Sequence, residues 1–514
     1  MHHIFRRATA VRIVAAATAL PLALTLALAG TTHADPGAPP ERQLADSVKA
    51  PNIKRHLQEL QNIANANGGT RASGTPGFDK SSDYVAGQLR GAGYQVTVQK
   101  FDFPFFREKS TAAMSQVSPD AKTYKPTTPG SSEVGDFATL TYSGSGNVQA
   151  TVQAVDLTLP PTPEPSSTSG CEAQDFAGFT AGNIALLQRG TCPFADKARN
   201  AQNAGAVGVI IFNEGQPGRT DAFAGTLGGP GFNIPVVGAS FAVGQDLASP
   251  ANTVVKLKTD TESTTRTTNN IVAETKRGNA DKVVMAGAHL DSVLAGPGIN
   301  DNGSGTAGLL EVALQFAKVP PKNKVRFAWW GAEELGLLGS EHYVASLSEA
   351  DRSKIALYGN YDMIASPNYA YMIYDGSAGP AGSVEIEKNL ARYFDFLKIP
   401  HVPTALDGRS DYGPFMAVGI PSGGLFTGAE GIKTPEEQQM FGGEAGKAYD
   451  ACYHSACDTI NNINDKALTV NTGAIAYSTA TFAFSDNPPS RTPVAKTAPQ
   501  QRGKADSHRG GLAL

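Results

Sequence analysis

Acidic and imidazole side chains stand at four places in this chain where a buried strand or a glycine-rich loop is predicted to end or begin. Three of these places follow apolar, β-rich runs, and the fourth opens a loop before a predicted helix. The residues concerned are His289 and Asp291, Asp301, Glu333 and Glu334, and Asp362. Ligand sites in open α/β sheets lie at the carboxyl ends of the strands, so these side chains are expected to share one cleft.

Such a cleft would bring together five carboxylates, from Asp291, Asp301, Glu333, Glu334 and Asp362. Like charges at close range cannot all remain ionised without cations, and two zinc ions would supply four positive charges. Zinc accepts imidazole nitrogen and carboxylate oxygen, and a catalytic zinc keeps one position open for water. A two-metal site needs roughly one histidine and one carboxylate for each ion and a shared carboxylate, which this set provides once a further histidine is added.

Each of these residues is ordinary when taken alone. A single histidine is usually a core or surface residue, and adjacent acids such as Glu333 and Glu334 often form a solvated helix start. As a set, however, the motifs resemble the secreted bacterial di-zinc leucine aminopeptidases, the aminopeptidase S and aminopeptidase Y metallopeptidase family. The resemblance covers about residues 44–130 and 262–485. It is carried by the segments His289-Leu290-Asp291-Ser292, Gly298 to Gly305, Trp329 to Glu334, Asn360 to Met363, and Cys452-Tyr453-His454.

The resemblance implies a ligand set for two Zn²⁺ ions. His289 and Asp362 would hold one ion, Glu334 and His454 would hold the other, and Asp301 would bridge them. The sequence leaves open whether a structural Ca²⁺ is also bound.

The same resemblance implies catalytic and substrate-binding roles. Glu333 would be the general base, Asp291 would orient His289, and Tyr453 would hydrogen-bond the developing oxyanion. Arg409 and Phe426 would line the substrate pocket, with the backbone carbonyl of Arg409 accepting from the substrate's ammonium group.

The function implied is hydrolysis of the first peptide bond of substrates with a free N-terminus, preferably after a large apolar residue. One alternative is a di-zinc carboxypeptidase or dipeptidase on the same scaffold, which would need a cationic pocket; Arg409 keeps this alternative open. A second alternative is a metal-free, receptor-like binding module, against which the complete ligand set argues.

The predicted fold class is α/β. We expect a zinc-exopeptidase fold with a mixed, mostly parallel central sheet flanked by helices, spanning residues 44–130 and 262–485. Residues 131–261 change in composition, and the strand, cysteine turn, helix and strand between Ile184 and Phe212 resemble a protease-associated (PA) domain. Residues Leu309–Phe316 and Leu335–Val344 are predicted to be helices. Residues 486–514 are poor in large apolar side chains and are expected to be a disordered tail.

Residues 1–34 have the pattern of a secretory signal peptide: Arg6, Arg7 and Arg12, then an apolar run, then small residues. Its removal takes three of the 43 basic residues and none of the 47 acidic ones, which leaves a net charge of −7. This charge gives no indication of nucleic-acid binding. We therefore expect a secreted or envelope-associated bacterial protein with no transmembrane segment after cleavage, and favour a monomer.

Four cysteines in an exported chain favour two disulfides, and three pairings are possible. Proximity in sequence favours Cys171–Cys192 and Cys452–Cys457. A cysteine metal site is the weaker alternative, because no zinc-ribbon spacing is present.

Overall fold

The computed structural model describes residues 37–128 and 133–491 of the 514-residue chain. The strands are β1 Gln95–Ser118, β2 Lys122–Tyr124, β3 Phe137–Thr139, β4 Gly146–Ala154, β5 Ile184–Gln188, β6 Gly208–Phe212, β7 Val236–Ala239, β8 Val254–Glu274, β9 Asn279–His289, β10 Asn323–Trp330, β11 Ile355–Tyr361, β12 Met372–Tyr374, β13 Val402–Thr404 and β14 Ser422–Phe426. The helices are α1 Pro40–Ser47, α2 Ala50–Ala66, α3 Pro76–Gly91, α4 Phe194–Asn203, α5 Phe241–Ala248, α6 Gly303–Phe316, α7 Leu338–Ser346, α8 Glu349–Lys354, α9 Ser383–Leu397, α10 Tyr412–Ala417, α11 Pro435–Phe441 and α12 Asp465–Phe484.

The larger unit is built on a mixed sheet whose centre is parallel. Strand order runs β13-β12-β14-β11-β9-β10-β8, and the pairs β14/β11, β11/β9 and β9/β10 are all parallel. In register, Trp330 pairs with His289 and Asn360 pairs with Gly287, so these strands end at the same edge. The predicted α/β fold is confirmed, and this edge is where the acidic segments begin.

Both faces of the central sheet are covered, which explains its apolar strands. Successive side chains of a strand point to opposite faces. On β10, Phe327 and Trp329 pack into the core formed with α2, α3, α6 and α12, whereas Ala328 and Trp330 pack into the core formed with α7 and α10. Both tryptophans are fully buried. The strand is therefore held from both sides immediately before Glu333 and Glu334.

A second α/β unit is inserted through the long antiparallel pair β1 and β8, which pair from Gln95 with Glu274 to Ser118 with Val254. Beyond them β4, β5, β6 and β7 form a parallel sheet with α4 and α5 packed against it. Of the predicted domain limits, 130/131 lies outside the described residues and 261/262 lies within β8. Ala112 and Met114, on β1, pack in the core of the inserted unit.

Two helices differ from their predicted starts. α6 begins at Gly303 and not at Leu309, because the side chain of Asn302 accepts a hydrogen bond from the Gly305 amide and caps the helix there. α7 begins at Leu338 and not at Leu335, because Gly336 and Leu337 both have positive φ and cannot continue a right-handed helix.

The structure contains the disulfides Cys171–Cys192 and Cys452–Cys457. The predicted signal peptide lies outside the described residues, as does the tail beyond Arg491. Of the tail, residues 486–491 are described, and the Arg491 guanidinium donates to the carbonyl of Val418. Within residues 37–128 and 133–491 we find no helix with the length and apolar character needed to span a bilayer.

Candidate metal centre

The five residues predicted as ligands meet at the carboxyl edge of the parallel strands, in two groups that share Asp301. In the first group, Nε2 of His289 lies 3.3 Å from Oδ1 of Asp301 and 3.2 Å from Oδ1 of Asp362. In the second, Nε2 of His454 lies 3.2 Å from Oδ2 of Asp301 and 3.0 Å from Oε2 of Glu334. Each oxygen of Asp301 thus faces a different group.

The donor set fits metal ions. The potential ligand atoms of each group lie within 4.8 Å of one another, so each group could hold one metal ion. Ligands about 2.0–2.1 Å from one tetrahedral zinc stand about 3.4 Å apart, close to the observed separations. In addition, Oε1 of Glu334 is buried and has no hydrogen-bond partner in the described chain. Nitrogen and carboxylate oxygen are the donors that zinc accepts.

Charge at the centre is strongly unbalanced. Burial raises the pKa of Glu334 to about 7, with Asp301 adding to the rise. Burial also raises the pKa of Glu333 well above its ordinary value. The pKa of His454 is raised to about 11: burial opposes the rise, but Glu334 and Asp301 outweigh it. The carboxylates around His454 thus stabilise its positively charged form, as expected of a cluster suited to cations.

Glu333 and Glu334 follow β10 and face different partners. Oε2 of Glu333 is 3.9 Å from Nε2 of His289, outside hydrogen-bonding distance, whereas Oε2 of Glu334 is 3.0 Å from His454. Ala332, just before them, has φ of +54°. Neighbours in sequence therefore reach opposite halves of the centre.

Asp291 contacts His289, but through its main chain. Nδ1 of His289 lies 3.0 Å from the carbonyl oxygen of Asp291 and 3.7 Å from the carboxylate, so the carbonyl makes the hydrogen bond. The carboxylate instead accepts from the backbone amide of Glu333 at 3.2 Å. Asp291 thereby links the His289 and Glu333 segments.

Asp362 is oriented by a hydrogen-bonded chain that sequence analysis missed. Its Oδ2 accepts from Ser410 Oγ at 2.6 Å, and Ser410 accepts from Asn360 Nδ2 at 2.9 Å. The chain continues through the hydroxyl of Tyr358, which donates to Asn360, and the indole of Trp330, which donates to Tyr358. Fixing one carboxylate oxygen leaves the other directed at His289.

Asp301 is braced by Asp458, which was also missed. The Asp458 carboxylate accepts from the backbone amides of Asn300 and Asp301 at 2.8 and 2.9 Å, and from Asn462 at 3.0 Å. Asp458 lies four residues after His454. One short segment therefore carries the proposed ligand His454 and also positions Asp301, which belongs to both groups.

Tyr453 and His454 lie inside the loop closed by Cys452–Cys457. Their rings stack with centroids 3.8 Å apart. Burial raises the pKa of Tyr453, and the carboxylates of Asp301 and Glu334 add to the rise. The phenol therefore remains protonated and is available as a hydrogen-bond donor beside the centre.

The residues predicted for the substrate pocket lie on neighbouring segments. Phe426 ends β14 and its ring stacks on Tyr374 at 6.5 Å. Tyr374 in turn contacts Tyr412, with ring centroids 4.8 Å apart. The side chain of Arg409 is exposed and pairs with Glu430 at 3.2 Å. Tyr374 and Tyr412 are buried and Phe426 is partly buried, whereas the charge of Arg409 is compensated by Glu430.

Asp411 and Arg71 are two further buried charged residues that sequence reasoning did not find. Burial raises the pKa of Asp411 to about 8, although His289 opposes the rise. Arg71 is fully buried on the loop before α3 and donates to main-chain carbonyls around the centre. Burial lowers its pKa to about 10, and nearby carboxylates limit the decrease, so it is a cation at neutral pH. An isolated Arg in a glycine-rich loop carries no sequence signal for such a position.

Comparison with known families gives two matches along this chain. A model described as Peptidase family M28 matches residues 270–479, and a model described as PA domain matches residues 151–247. The first match contains all five proposed ligands. The second lies within the inserted unit.

Two curated relatives are similar over most of their length. An aminopeptidase of Pseudomonas aeruginosa is 47% identical over 446 residues, covering 85% of this chain and 82% of its own. Leucine aminopeptidase 2 of Trichophyton tonsurans is 41% identical over 453 residues, covering 86% of both chains.

Two solved structures have the same fold over nearly their whole length. An aminopeptidase from Aneurinibacillus sp. strain AM-1 covers 88% of this chain and 98% of its own, with 27% identity and a TM-score of 0.62. A zinc aminopeptidase from Bacillus subtilis covers 87% and 99%, with 25% identity and a TM-score of 0.58.

Proposed function

The chain belongs to peptidase family M28 and is an aminopeptidase with an inserted PA domain, and from this premise we propose that it uses two zinc ions to remove large apolar residues from unblocked N-termini. The observation that carries the proposal is the position of Asp301, with one carboxylate oxygen in each of two histidine-containing groups. The zinc aminopeptidase of Bacillus subtilis and the leucine aminopeptidase of Trichophyton support the metal and the side-chain preference, respectively.

In this proposal His289 and Asp362 would hold one ion, Glu334 and His454 would hold the second, and Asp301 would contribute to both. When bound, the ions polarise the scissile carbonyl and lower the pKa of the attacking water. Whether a structural Ca²⁺ is present is a separate question on which the proposal does not depend.

Glu333 is the proposed general base. It lies beside His289 without belonging to either ligand group, so its carboxylate is free to take a proton from water and to return it to the departing amine. Tyr453 would donate its phenolic hydrogen bond to the oxyanion that develops on the scissile carbonyl. Asp291, which contacts both His289 and the backbone amide of Glu333, would hold these two residues in position relative to each other.

The substrate's N-terminal ammonium would be bound by negative charge at the same centre. Glu333 and Asp362 supply carboxylates, and the backbone carbonyl of Arg409 is proposed as a third acceptor. The side chain of the first residue would pack against Phe426, which lies beside Tyr374. One methylene in such a pocket contributes ~1–3 kcal/mol, so the preference is expected to be graded.

A carboxypeptidase or dipeptidase on this scaffold would require a cation for the substrate's terminal carboxylate. Arg409 is the candidate that the sequence offers, but its guanidinium pairs with Glu430. The names of the relatives also favour an aminopeptidase. A receptor-like module without metal has no support from them.

The two disulfides fit a secreted protein. We propose export by the signal peptide predicted at residues 1–34. We also propose residues 44–130 and 262–485 as the catalytic domain and 131–261 as the PA domain, with the β1/β8 pair as their connection.

The test is a panel of aminoacyl chromogenic substrates on the purified protein, with acetyl-leucine as the blocked control and a peptide with a blocked C-terminus as the second. We expect cleavage of leucine, phenylalanine and methionine compounds, no cleavage of acetyl-leucine, and no effect of the blocked C-terminus. Efficient cleavage of the acetylated compound, or a preference for aspartate over leucine, would contradict the assignment.

A further inference from the structure

Arg71 is a fully buried arginine whose guanidinium is hydrogen-bonded to the two loops that carry the proposed ligands. Its Nη1 donates to the carbonyl of Leu290, the residue after His289. Its Nε and Nη2 donate to the carbonyls of Pro297 and Gly298, at 2.8 and 2.5 Å, shortly before Asp301. One planar group thus ties the His289 segment to the Asp301 segment.

The rest of the Arg71 loop, Thr70–Thr75, adds contacts to the same region. The backbone amide of Arg71 donates to Ser292 Oγ at 2.9 Å. Ser73 Oγ accepts at 2.7 Å from the amide of Ala332, directly before Glu333. The loop therefore contacts the segments of His289, Asp301 and Glu333, and so reaches both halves of the centre.

The charge of Arg71 has no close ionic partner in the described chain, since its side-chain hydrogen bonds all go to carbonyls. An unpaired buried cation is costly unless a nearby field compensates it. Here the compensating field comes from Asp291, Asp458, Asp301 and Glu334, which all interact with the guanidinium electrostatically. The cation in turn offsets part of the repulsion among these carboxylates.

We propose that Arg71 is a positioning residue that preforms the metal centre, holding the His289 and Asp301 loops together and placing a fixed positive charge behind the carboxylates. The inference rests on the proposed two-zinc function. The hydrogen bonds of the Arg71 side chain go to main-chain carbonyls and not to the proposed ligand atoms, so its effect on the centre is exerted through the ligand segments. Outer partners of metal ligands typically contribute ~10–100-fold in metal affinity, and we expect Arg71 to act on this scale.

Arg71→Met removes the charge and all three side-chain hydrogen bonds while keeping a side chain of similar length. Arg71→Lys keeps the charge but loses the planar guanidinium that donates to several carbonyls at once. The matched control is Arg326→Met, because Arg326 is also largely buried but pairs with Glu274 and Tyr343 at the start of β10. Zinc dissociation constants are measured by competition with a chromogenic chelator, alongside the melting temperature of each zinc-free protein and kcat and KM at saturating zinc.

We expect zinc binding to weaken ~10–100-fold in Arg71→Met, with a smaller loss in Arg71→Lys, and kcat to recover largely at saturating zinc. Arg326→Met should lower the melting temperature without changing zinc affinity. If Arg71→Met does not fold, Arg71→Lys decides the question by the same measurement.

Zinc affinity within twofold of wild type in folded Arg71 variants would overturn the inference, even if their melting temperatures fall, because the role would then be stability alone. A wild-type protein that binds no zinc would instead overturn the proposed function, and the two failures are therefore distinguishable.

Discussion

Replacing Glu333 and Glu334 separately by Gln should give two different defects, although the residues are adjacent. Gln keeps the volume of the side chain and removes its negative charge. Glu333 lies 3.9 Å from His289 and belongs to neither ligand group, whereas Glu334 lies 3.0 Å from His454 within the second group. The first change should therefore act on proton transfer and the second on metal binding.

For Glu333→Gln we expect kcat to fall by ~10²–10⁴-fold, the usual contribution of a positioned acid–base group. This loss corresponds to about 3–5 kcal/mol in the activation free energy. Zinc content after dialysis should equal that of the wild type, because no ligand is lost. Added zinc should not restore the rate.

For Glu334→Gln we expect zinc content to fall on dialysis and activity to recover, at least in part, with excess zinc. The assay is release of nitroaniline from leucine nitroanilide, with zinc measured by atomic emission on the same samples. Retention of both zinc and comparable activity by the two variants would refute the division of roles. Loss of zinc in Glu333→Gln would identify that residue as a ligand and not as the base.

Three further outcomes are expected. Asp301→Asn should lose more zinc on dialysis than Glu334→Gln, since Asp301 belongs to both groups; equal retention by the two variants would argue against a shared ligand. Burial lowers the pKa of Lys197 from 10.5 to about 8 in the folded protein. Between these two pH values the unfolded chain therefore binds more protons than the folded one. The free energy of unfolding of the inserted domain should thus rise by up to about 3 kcal/mol as the pH increases from 8 to 10.5. Calorimetry at pH 7.5 and 10 should show this gain in the wild type and not in Lys197→Met, and equal gains in both would be inconsistent with it. Residues 109–260 can be replaced by an Asn-Gly turn that joins Glu108 to Thr261, its partner across the β1/β8 pair. This deletion should leave cleavage of leucine nitroanilide intact while altering selectivity among longer peptides. A deletion variant that is folded and zinc-loaded but inactive would show that the inserted domain contributes to the active site.

The edge of the sheet that carries the proposed ligands could be predicted because its signals are local. Each strand is an apolar run buried on both faces, and His289, Glu334 and Asp362 follow such runs within a few residues. Parallel strands then bring these ends together without further information. The pairing of the nearby cysteines is similarly local.

The start of α6 could not be predicted from propensity, because glycine disfavours helix interiors. Tertiary contacts override this preference: a Cβ at Gly305 would lie 2.2 Å from the carbonyl oxygen of Tyr361, so only glycine allows the helix to approach the end of β11. The same glycines that indicate a loop in sequence therefore permit close packing beside Asp301 and Asp362.

The outer partners of the centre were missed because their contacts span long separations in sequence. Arg71 bonds to the carbonyl of Pro297, 226 residues away, and Asp458 bonds to the Asp301 amide, 157 residues away. Neither residue lies in a periodic or motif context that distinguishes it from an ordinary loop residue. Only the folded chain shows that they contact the segments of the proposed ligands.

The most direct test of the account is the zinc content of the active enzyme, measured together with its activity. Purified protein should contain two zinc ions per chain, lose activity when a strong chelator removes them, and regain it as two equivalents are returned. An active enzyme with no more than one zinc per chain, or one whose activity survives complete removal of metal, would contradict the two-zinc centre on Asp301.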